Sequence, residues 1–452
     1  MERAARMELH LARVGLLALL GVAAPAFAAG TDLLTLTRDA LINDPTYSAA
    51  RFAQLASVEA VPQARANLLP NLNASLADQA NRYDFRSTDT QVQPSFEKTF
   101  NSWGPALNFT LPLYSAPLWE SLTQAKLSVR QSEAKLAQAR SDLLLRVAQA
   151  YFDVLAAQDT LTALRENKKA VSEQLAQAKR EFEVGTKTIV DTHEAKARYD
   201  QIDAQEQVAR GDLAVKQSAL RAIIGHEAGE LQVLRDPVVL EPPKPNDVDT
   251  WAHNAEDANY SVLAARAASE IAHHETKRAH DAYLPSLNVT GGIQYVRSTG
   301  NIYIPVGNNT TASNLGITLT VPVFTGGAIQ SQVREALANE ERAQQDLELA
   351  RRTAAQAARQ AYTGVDYGLS QVQALESAEL SAKTQLDSTR LGYQVGVRIN
   401  LDVLNANTQL FNTQRDLKKA RYDFLVSGLR LKAAAGDLQD EDIQTVNALL
   451  QK

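Results

Sequence analysis

The chain has 452 residues, 45% of them hydrophobic and 22% charged, with a formal net charge of -6. That balance holds no basic excess for nucleic-acid phosphates, so no nucleic-acid partner is expected. Cysteine is absent, which excludes disulfides, thiolate metal sites, cysteine nucleophiles and a lipid-modified N-terminal cysteine.

Residues 1-28 read as a signal peptide. Arg3, Arg6 and Arg13 form a basic start, Val14 to Ala24 an apolar stretch, and Ala26-Phe27-Ala28 a small-residue cleavage site. The apolar stretch is too short for a membrane anchor, and no later stretch holds eighteen uninterrupted apolar residues. An exported chain without cysteine fits a bacterial periplasm or outer membrane.

Asp44 to Leu68 reads as a helix of moderate length, and two alternating segments follow it. Leu72, Ala74 and Leu76 alternate with Asn73, Ser75 and Ala77; Leu107, Phe109, Leu111 and Leu113 alternate with Asn108, Thr110 and Pro112. A period of two marks strands with one apolar face. Phe85 to Pro94 between them is polar and reads as a loop. From Leu118 to Val184 there is neither glycine nor proline, enough for a helix of roughly 100 Å. Seven-residue spacings such as Val147, Val154 and Leu161 predict coiled-coil-like packing. A turn at Val184-Gly185 sends a second helix back over Val190 to Ile224.

Leu234 to Asp249 carries Pro237, Pro242, Pro243 and Pro245 and reads as a linker. After it the order repeats. Asp257 to Tyr283 is helical; Leu287, Val289, Ile293 and Tyr295 alternate in one strand, and Leu315, Ile317, Leu319, Val321 and Val323 in the next. Ser298 to Ser313 is the expected loop. A long helix from Ala328 to Leu391, with breaks expected at Gly364 and Gly368, turns at Val395-Gly396 and returns over Leu401 to Ala435. Glu183 to Asp191 and Gln394 to Asp402 correspond at an offset of 211 (Gly396 minus Gly185), and several other pairs keep nearly that offset. An internal duplication is therefore expected. The divisions are 1-28, signal peptide; 29-233, first repeat (strands near 68-114, long helices 116-225); 234-249, linker; 250-436, second repeat (strands near 284-324, long helices 327-435); and 437-452, C-terminal tail.

Taken alone, the strands suit half of a soluble sandwich. Three features point elsewhere. The strands number four, in two hairpins far apart in the chain; their second face is polar but uncharged; and the chain is exported. A sheet in lipid must close, and about eight strands are the minimum. Four cannot close, whereas three chains of four give twelve. The expected fold is a mixed α and β membrane protein, a homotrimer forming a 12-stranded outer-membrane β-barrel continued by a long antiparallel α-helical barrel. An envelope coiled-coil scaffold or adhesin without channel activity is the alternative reading of the helices.

No catalytic, cofactor or metal motif is present, and no enzyme activity is expected. His273 and His274 lack the spacing of a zinc-protease helix and read, with His280, as a solvated face. Gly185-Thr186-Lys187-Thr188 lacks the ending of a phosphate loop, and there is no G-x-S-x-G nucleophile turn.

The run Gly392-Tyr393-Gln394-Val395-Gly396-Val397-Arg398, with Asp402 following, resembles the periplasmic-tip motif of the TolC family of outer-membrane export ducts. The element order of both halves is similar to that family over the mature chain. The resemblance implies a passive trimer in the outer membrane, reaching into the periplasm, with outer-membrane lipid around its barrel. It implies two partners, a periplasmic adaptor protein and an inner-membrane transporter (a pump or ABC exporter), with drugs or unfolded proteins as cargo. It implies a periplasmic gate of Asp191, Tyr393 and Arg398, and a lumen selectivity ring at Asp402 and Asn405, Asn405 standing where the family often has a second acid. It further implies that Val184, Gly185, Val395 and Gly396 form the helix-tip turns on which an adaptor docks.

Overall fold

The computed structural model describes residues 31–88, 91, 95–186, 188–300 and 306–451; the expected signal peptide lies outside these residues. Three short helices come first among the described residues: α1 (Leu33–Asn43), α2 (Pro45–Val58) and α3 (Ala60–Ala66). Asp32 caps α1 by accepting the Thr35 N–H, and Asp44 caps α2 by accepting the Tyr47 N–H. The single helix expected from Asp44 to Leu68 is divided at Glu59, because Pro62 has no N–H to offer the Val58 carbonyl.

Strands β1 (Asn71–Phe85) and β2 (Phe96–Tyr114) lead into α4 (Ala116–Glu183), which turns into α5 (Ile189–Ile224). The second half repeats this with α6 (Val248–Ala258), α7 (Tyr260–Asp281), β3 (Ser286–Ser298), β4 (Asn308–Thr320), α8 (Ala328–Gln394) and α9 (Asn400–Ala435). A short α10 (Asp440–Asn447) ends the chain. The duplication extends to details. Both return helices end on a left-handed glycine, Gly225 at φ +84° and Gly436 at φ +77°. In each half an asparagine amide donates to a last-turn carbonyl: Asn43 to Ile224 (2.9 Å) and Asn259 to Ala434 (2.8 Å).

The long helices are uninterrupted. The breaks expected at Gly364 and Gly368 do not occur, and α8 runs straight through both. Both glycines face α9: a Cβ would lie 3.6 Å from Ser427 Oγ at Gly364 and 3.6 Å from Phe424 Cδ2 at Gly368, ordinary contact distances. His273 and His280 are exposed, as a solvated face requires, while His274 is half-buried. His273 Nδ1 lies 2.8 Å from Glu340 on α8 and His274 Nδ1 lies 2.6 Å from Glu120 on α4. Because α7 lies between those two helices, adjacent residues about 100° apart on its surface reach opposite neighbours.

The main core sits midway along α4, where Leu143, Val147, Tyr151, Phe152 and Leu155 meet α1, the ends of α5 and α9, and α10. Phe152 stacks on Tyr422 with ring centroids 5.5 Å apart, and the Tyr151 hydroxyl donates to the Gln232 carbonyl at 2.7 Å. The linker and the chain end are tied together there, Gln451 N–H to Val233 O at 2.7 Å and Arg235 N–H to Leu449 O at 3.0 Å. Away from this level the molecule is a wall of helices side by side, in the order α5, α4, α9, α8 toward the tip.

Both hairpins join one antiparallel sheet in the order β1-β2-β3-β4. The strand β4 starts at Asn308, so Asn308 to Ser313, expected in the loop, belong to the ladder. It ends at Thr320, leaving Val321 and Val323 outside, since Pro322 cannot donate to a ladder. Antiparallel partners share a face. One face carries Leu72, Leu76, Leu107, Phe109, Leu315, Ile317 and Leu319; the other carries Asn73, Ser75, Asn108, Thr110, Asn288 and Asn314. No helix among the described residues is long and apolar enough to cross a membrane.

The two repeat-ending glycines differ in surroundings. A Cβ on Gly436 would come within 2.3 Å of the Ala258 carbonyl oxygen, whereas one on Gly225 would meet only the Asn43 side chain at 3.2 Å. Each alanine substitution carries the left-handed cost of roughly 1–2 kcal/mol. Gly436→Ala adds a collision with backbone, so its melting temperature should fall further than that of Gly225→Ala; equal losses would contradict the packing described here.

Candidate functional site

The site is built at the far end of the long helices. Each pair turns on a left-handed glycine, Gly185 at φ +76° and Gly396 at φ +82°. The turn amides close back on the ends of the outgoing helices: Thr186 N–H to Glu181 O at 2.9 Å, Val397 N–H to Gly392 O at 2.9 Å. Glycine holds this backbone without the Cβ penalty any other residue would meet. The turns expose apolar side chains, among them Val184, Val190, Val395 and Val397.

Asp191 occupies the third position of α5 and accepts from its own turn, Thr188 N–H at 3.1 Å and Thr188 Oγ1–H at 2.8 Å. Its carbonyl accepts from the Asn400 amide at 3.3 Å, tying the two turns together. The Tyr393 hydroxyl donates to Glu181 Oε2 at 2.6 Å. Burial, then that bond to Glu181 and the nearby charge of Asp191, push its acidity well above the ordinary tyrosine range, so it remains a donor. Asp191 and Tyr393 are thus brought together. Arg398 instead faces its own helix: its guanidinium lies 3.6 Å from Asp402, whose carboxylate also accepts the Ile399 N–H at 3.5 Å. Gly392 leaves room for the Arg398 stem, because a Cβ there would sit 2.8 Å from Arg398 Cγ. Asn405 accepts from Arg198 of α5 at 2.9 Å.

A set of residues absent from the sequence reading joins these parts. Glu181 with Tyr393, Gln174 with Asn400 (2.5 Å) and Asn167 with Asn407 (2.9 Å) form successive rungs. Seven residues back along α4 match seven residues forward along the facing chain, as antiparallel coiled-coil packing requires. Asn167 and Asn407 are both buried, and Asn407 Oδ1 has no partner. The spacing of Asn167, Gln174 and Glu181 is visible in the sequence, but the facing residues are not. On the other side of α4, Glu206 of α5 is 3% exposed and accepts from Lys168 (2.9 Å), Arg210 (2.6 Å) and Arg165 (3.3 Å). The Lys168 bond, aided by Arg210 and Arg165 against the effect of burial, holds its carboxyl down at about 2. That cluster pins α5 to α4.

Residues 36–226 and 251–437 both match one protein family, described as outer membrane efflux protein. The chain belongs to that family. Each matched segment covers one repeat, from the first helix to the glycine that ends the return helix. Among relatives of this outer membrane efflux protein, outer membrane protein TolC of Vibrio cholerae is 35% identical over 93% of this chain and 94% of its own. Alkaline protease secretion protein AprF of Pseudomonas aeruginosa is 30% identical over 94% and 88%. In fold, the chain is similar to CusC, with a TM-score of 0.77 at 19% identity over 90% of this chain and 92% of that one. The open-state MtrE outer membrane channel of Neisseria gonorrhoeae gives 0.71 at 19% identity, over 91% and 90%.

The tip geometry of this family member generates two predictions. Asn167→Ala leaves Asn407 buried without its rung and should destabilise the helical wall by about 2 kcal/mol, read by chemical denaturation. A depressed carboxylate stabilises above its unfolded range and loses that contribution as pH falls through its folded value. The α4–α5 pairing should therefore hold down to about pH 4.5 and loosen as pH falls toward 2, read by amide exchange of residues 165–210. Glu206→Gln should remove that acid dependence.

Proposed function

We propose that this chain is the outer-membrane duct of a tripartite export system. Three copies close a 12-stranded barrel, four strands from each, and continue as an antiparallel helical barrel into the periplasm. The carrying observation is the sheet. Over the part nearer the helices its four strands are apolar on one face and polar but uncharged on the other, and β1 and β4 are edges. In lipid an open edge leaves backbone groups unsatisfied, and copies of the same sheet are the partners that close it. The flanks of the helical wall agree: α5 exposes Val208 and Val215, and α8 exposes Leu349, Tyr367 and Leu380. These are surfaces for neighbouring copies.

In this reading the two turns at Val184-Gly185 and Val395-Gly396 offer their apolar tips to a periplasmic adaptor. The adaptor joins the duct to an inner-membrane transporter, either a pump or an ABC exporter. Asp191, Tyr393 and Arg398 form the gate, with Glu181 as the acceptor that holds Tyr393. Asp402 supplies the acid of the lumen ring, which favours cations. Asn405 adds an amide fixed by Arg198. The duct consumes no fuel and performs no chemistry. The family is named for efflux and one relative for protease secretion, so small toxic molecules and secreted polypeptides are the two cargo classes that fit.

Single-channel conductance in a planar bilayer tests the reading. Wild type should show discrete low conductance, and Arg398→Ser should raise it severalfold by releasing the turn. Silence from both, with the trimer inserted, would return the chain to a scaffold without a channel.

A further inference from the structure

The polarity of the first hairpin inverts along its length. The hairpin turns lie at the end of the sheet away from the helices, because α3, α4, α7 and α8 all join the other end. Nearer the helices the outward face is apolar, as at Leu72, Leu76 and Leu107, while the inward face carries Asn71, Asn73, Ser75 and Asn108. From Trp103, which Asp78 and Arg297 flank, toward the turn the outward face becomes charged: Arg82 is ion-paired with Glu97 across the strands, and Asp84 pairs with Arg86 at 3.3 Å. The inward face at the same level carries four aromatic rings and one cation, Lys98. The register sets Phe85 opposite Phe96, Tyr83 opposite Lys98 and Asn81 opposite Phe100, all on the face of Asn73 and Asn108. The rings meet in two stacks: Phe85 on Phe96 with centroids 5.4 Å apart at 29°, and Tyr83 on Phe100 at 6.3 Å and 19°. Tyr83 is 48% exposed and Phe85 37% exposed.

Cross-strand ring pairs would stabilise a hairpin on either face. A segment clear of the lipid has no need to turn rings inward and charges outward unless the inward face meets something apolar. We infer that these four rings form a lumen-facing station at the external mouth, where ring-bearing apolar molecules are held as they leave. The inference rests on the trimeric duct proposed above, in which three such patches surround the exit. Their faces are the lumen wall, so molecules in transit are the occupants that reach them, by stacking and, for organic cations, by attraction to the ring faces.

The test uses two cations of equal charge added on the hairpin side of a bilayer: tetraphenylphosphonium, which carries rings, and tetraethylammonium, which does not. Wild-type channels should show transient blockade by tetraphenylphosphonium well beyond that by tetraethylammonium. In the double variant Phe85→Ser, Phe96→Ser, block by the ring-bearing cation should weaken roughly tenfold while the response to tetraethylammonium stays the same. Phe96→Tyr should retain the block, which separates loss of rings from damage to the hairpin. Conducting channels that respond alike to both cations, or a double variant blocked as strongly as wild type, would overturn the station and leave the duct intact. A wild type that does not conduct at all would overturn the duct, and the station with it.

Discussion

A wall one helix thick has no interior. That constraint governs how this chain distributes its stabilising contacts. Deep burial is concentrated where a second layer exists, midway along α4, and there the chain brings together α1, the ends of both return helices, the linker and α10. Leu143, Val147, Tyr151 and Phe152 are almost fully buried, and removing apolar surface of this kind from water is the largest favourable term in folding. The linker and the final helix are therefore part of the structure that fixes the two repeats to each other.

Toward the tip no such layer exists, and polar contacts take its place. Within the first pair, the buried Glu206 and its three cationic donors fasten α5 to α4. Between the pairs, rungs at seven-residue intervals join α4 to the second repeat, with small apolar clusters around Val171 and Leu386 beside them. A hydrogen bond near solvent can exchange its partner for water at little net cost, whereas separating a packed core cannot. The tip is accordingly the low-stability end of a long lever, the kind of region from which moving parts are drawn. The buried Asn167–Asn407 rung is the costliest to open, because its amides would lose partners away from water. It marks where a separation beginning at Glu181 and Tyr393 would meet resistance.

The sheet applies the same logic to a different solvent. Nearer the helices its alternation puts hydrocarbon side chains on one face and uncharged polar ones on the other, an arrangement suited to lipid on one side and water on the other. Near the turn of the first hairpin the polarity reverses, with an ion pair on the first face and stacked rings on the second. Register makes this reversal consequential, since a slip of one residue would exchange the faces along the whole ladder.

The sequence alone determined what depends on local periodicity. Alternation marked four strands, seven-residue spacing marked the long helices, and the paired Val-Gly turns with the Gly392 to Arg398 run marked the tip and the family resemblance. Each signal lies within a few residues of chain, so no partner need be known to read it. The tertiary structure decided what depends on which element lies opposite. Gly364 and Gly368 look like helix breaks until α8 is seen to run through both, and the carboxylate partners of His273 and His274 appear only when α8 and α4 flank α7. Arg398 could be placed at the tip by its motif, but its pairing with Asp402 within the chain could not. Likewise Glu181, Gln174 and Asn167 became functional candidates only when Tyr393, Asn400 and Asn407 appeared across from them. Periodicity tells a helix which face to bury; the identity of its neighbour is fixed by packing between segments more than two hundred residues apart.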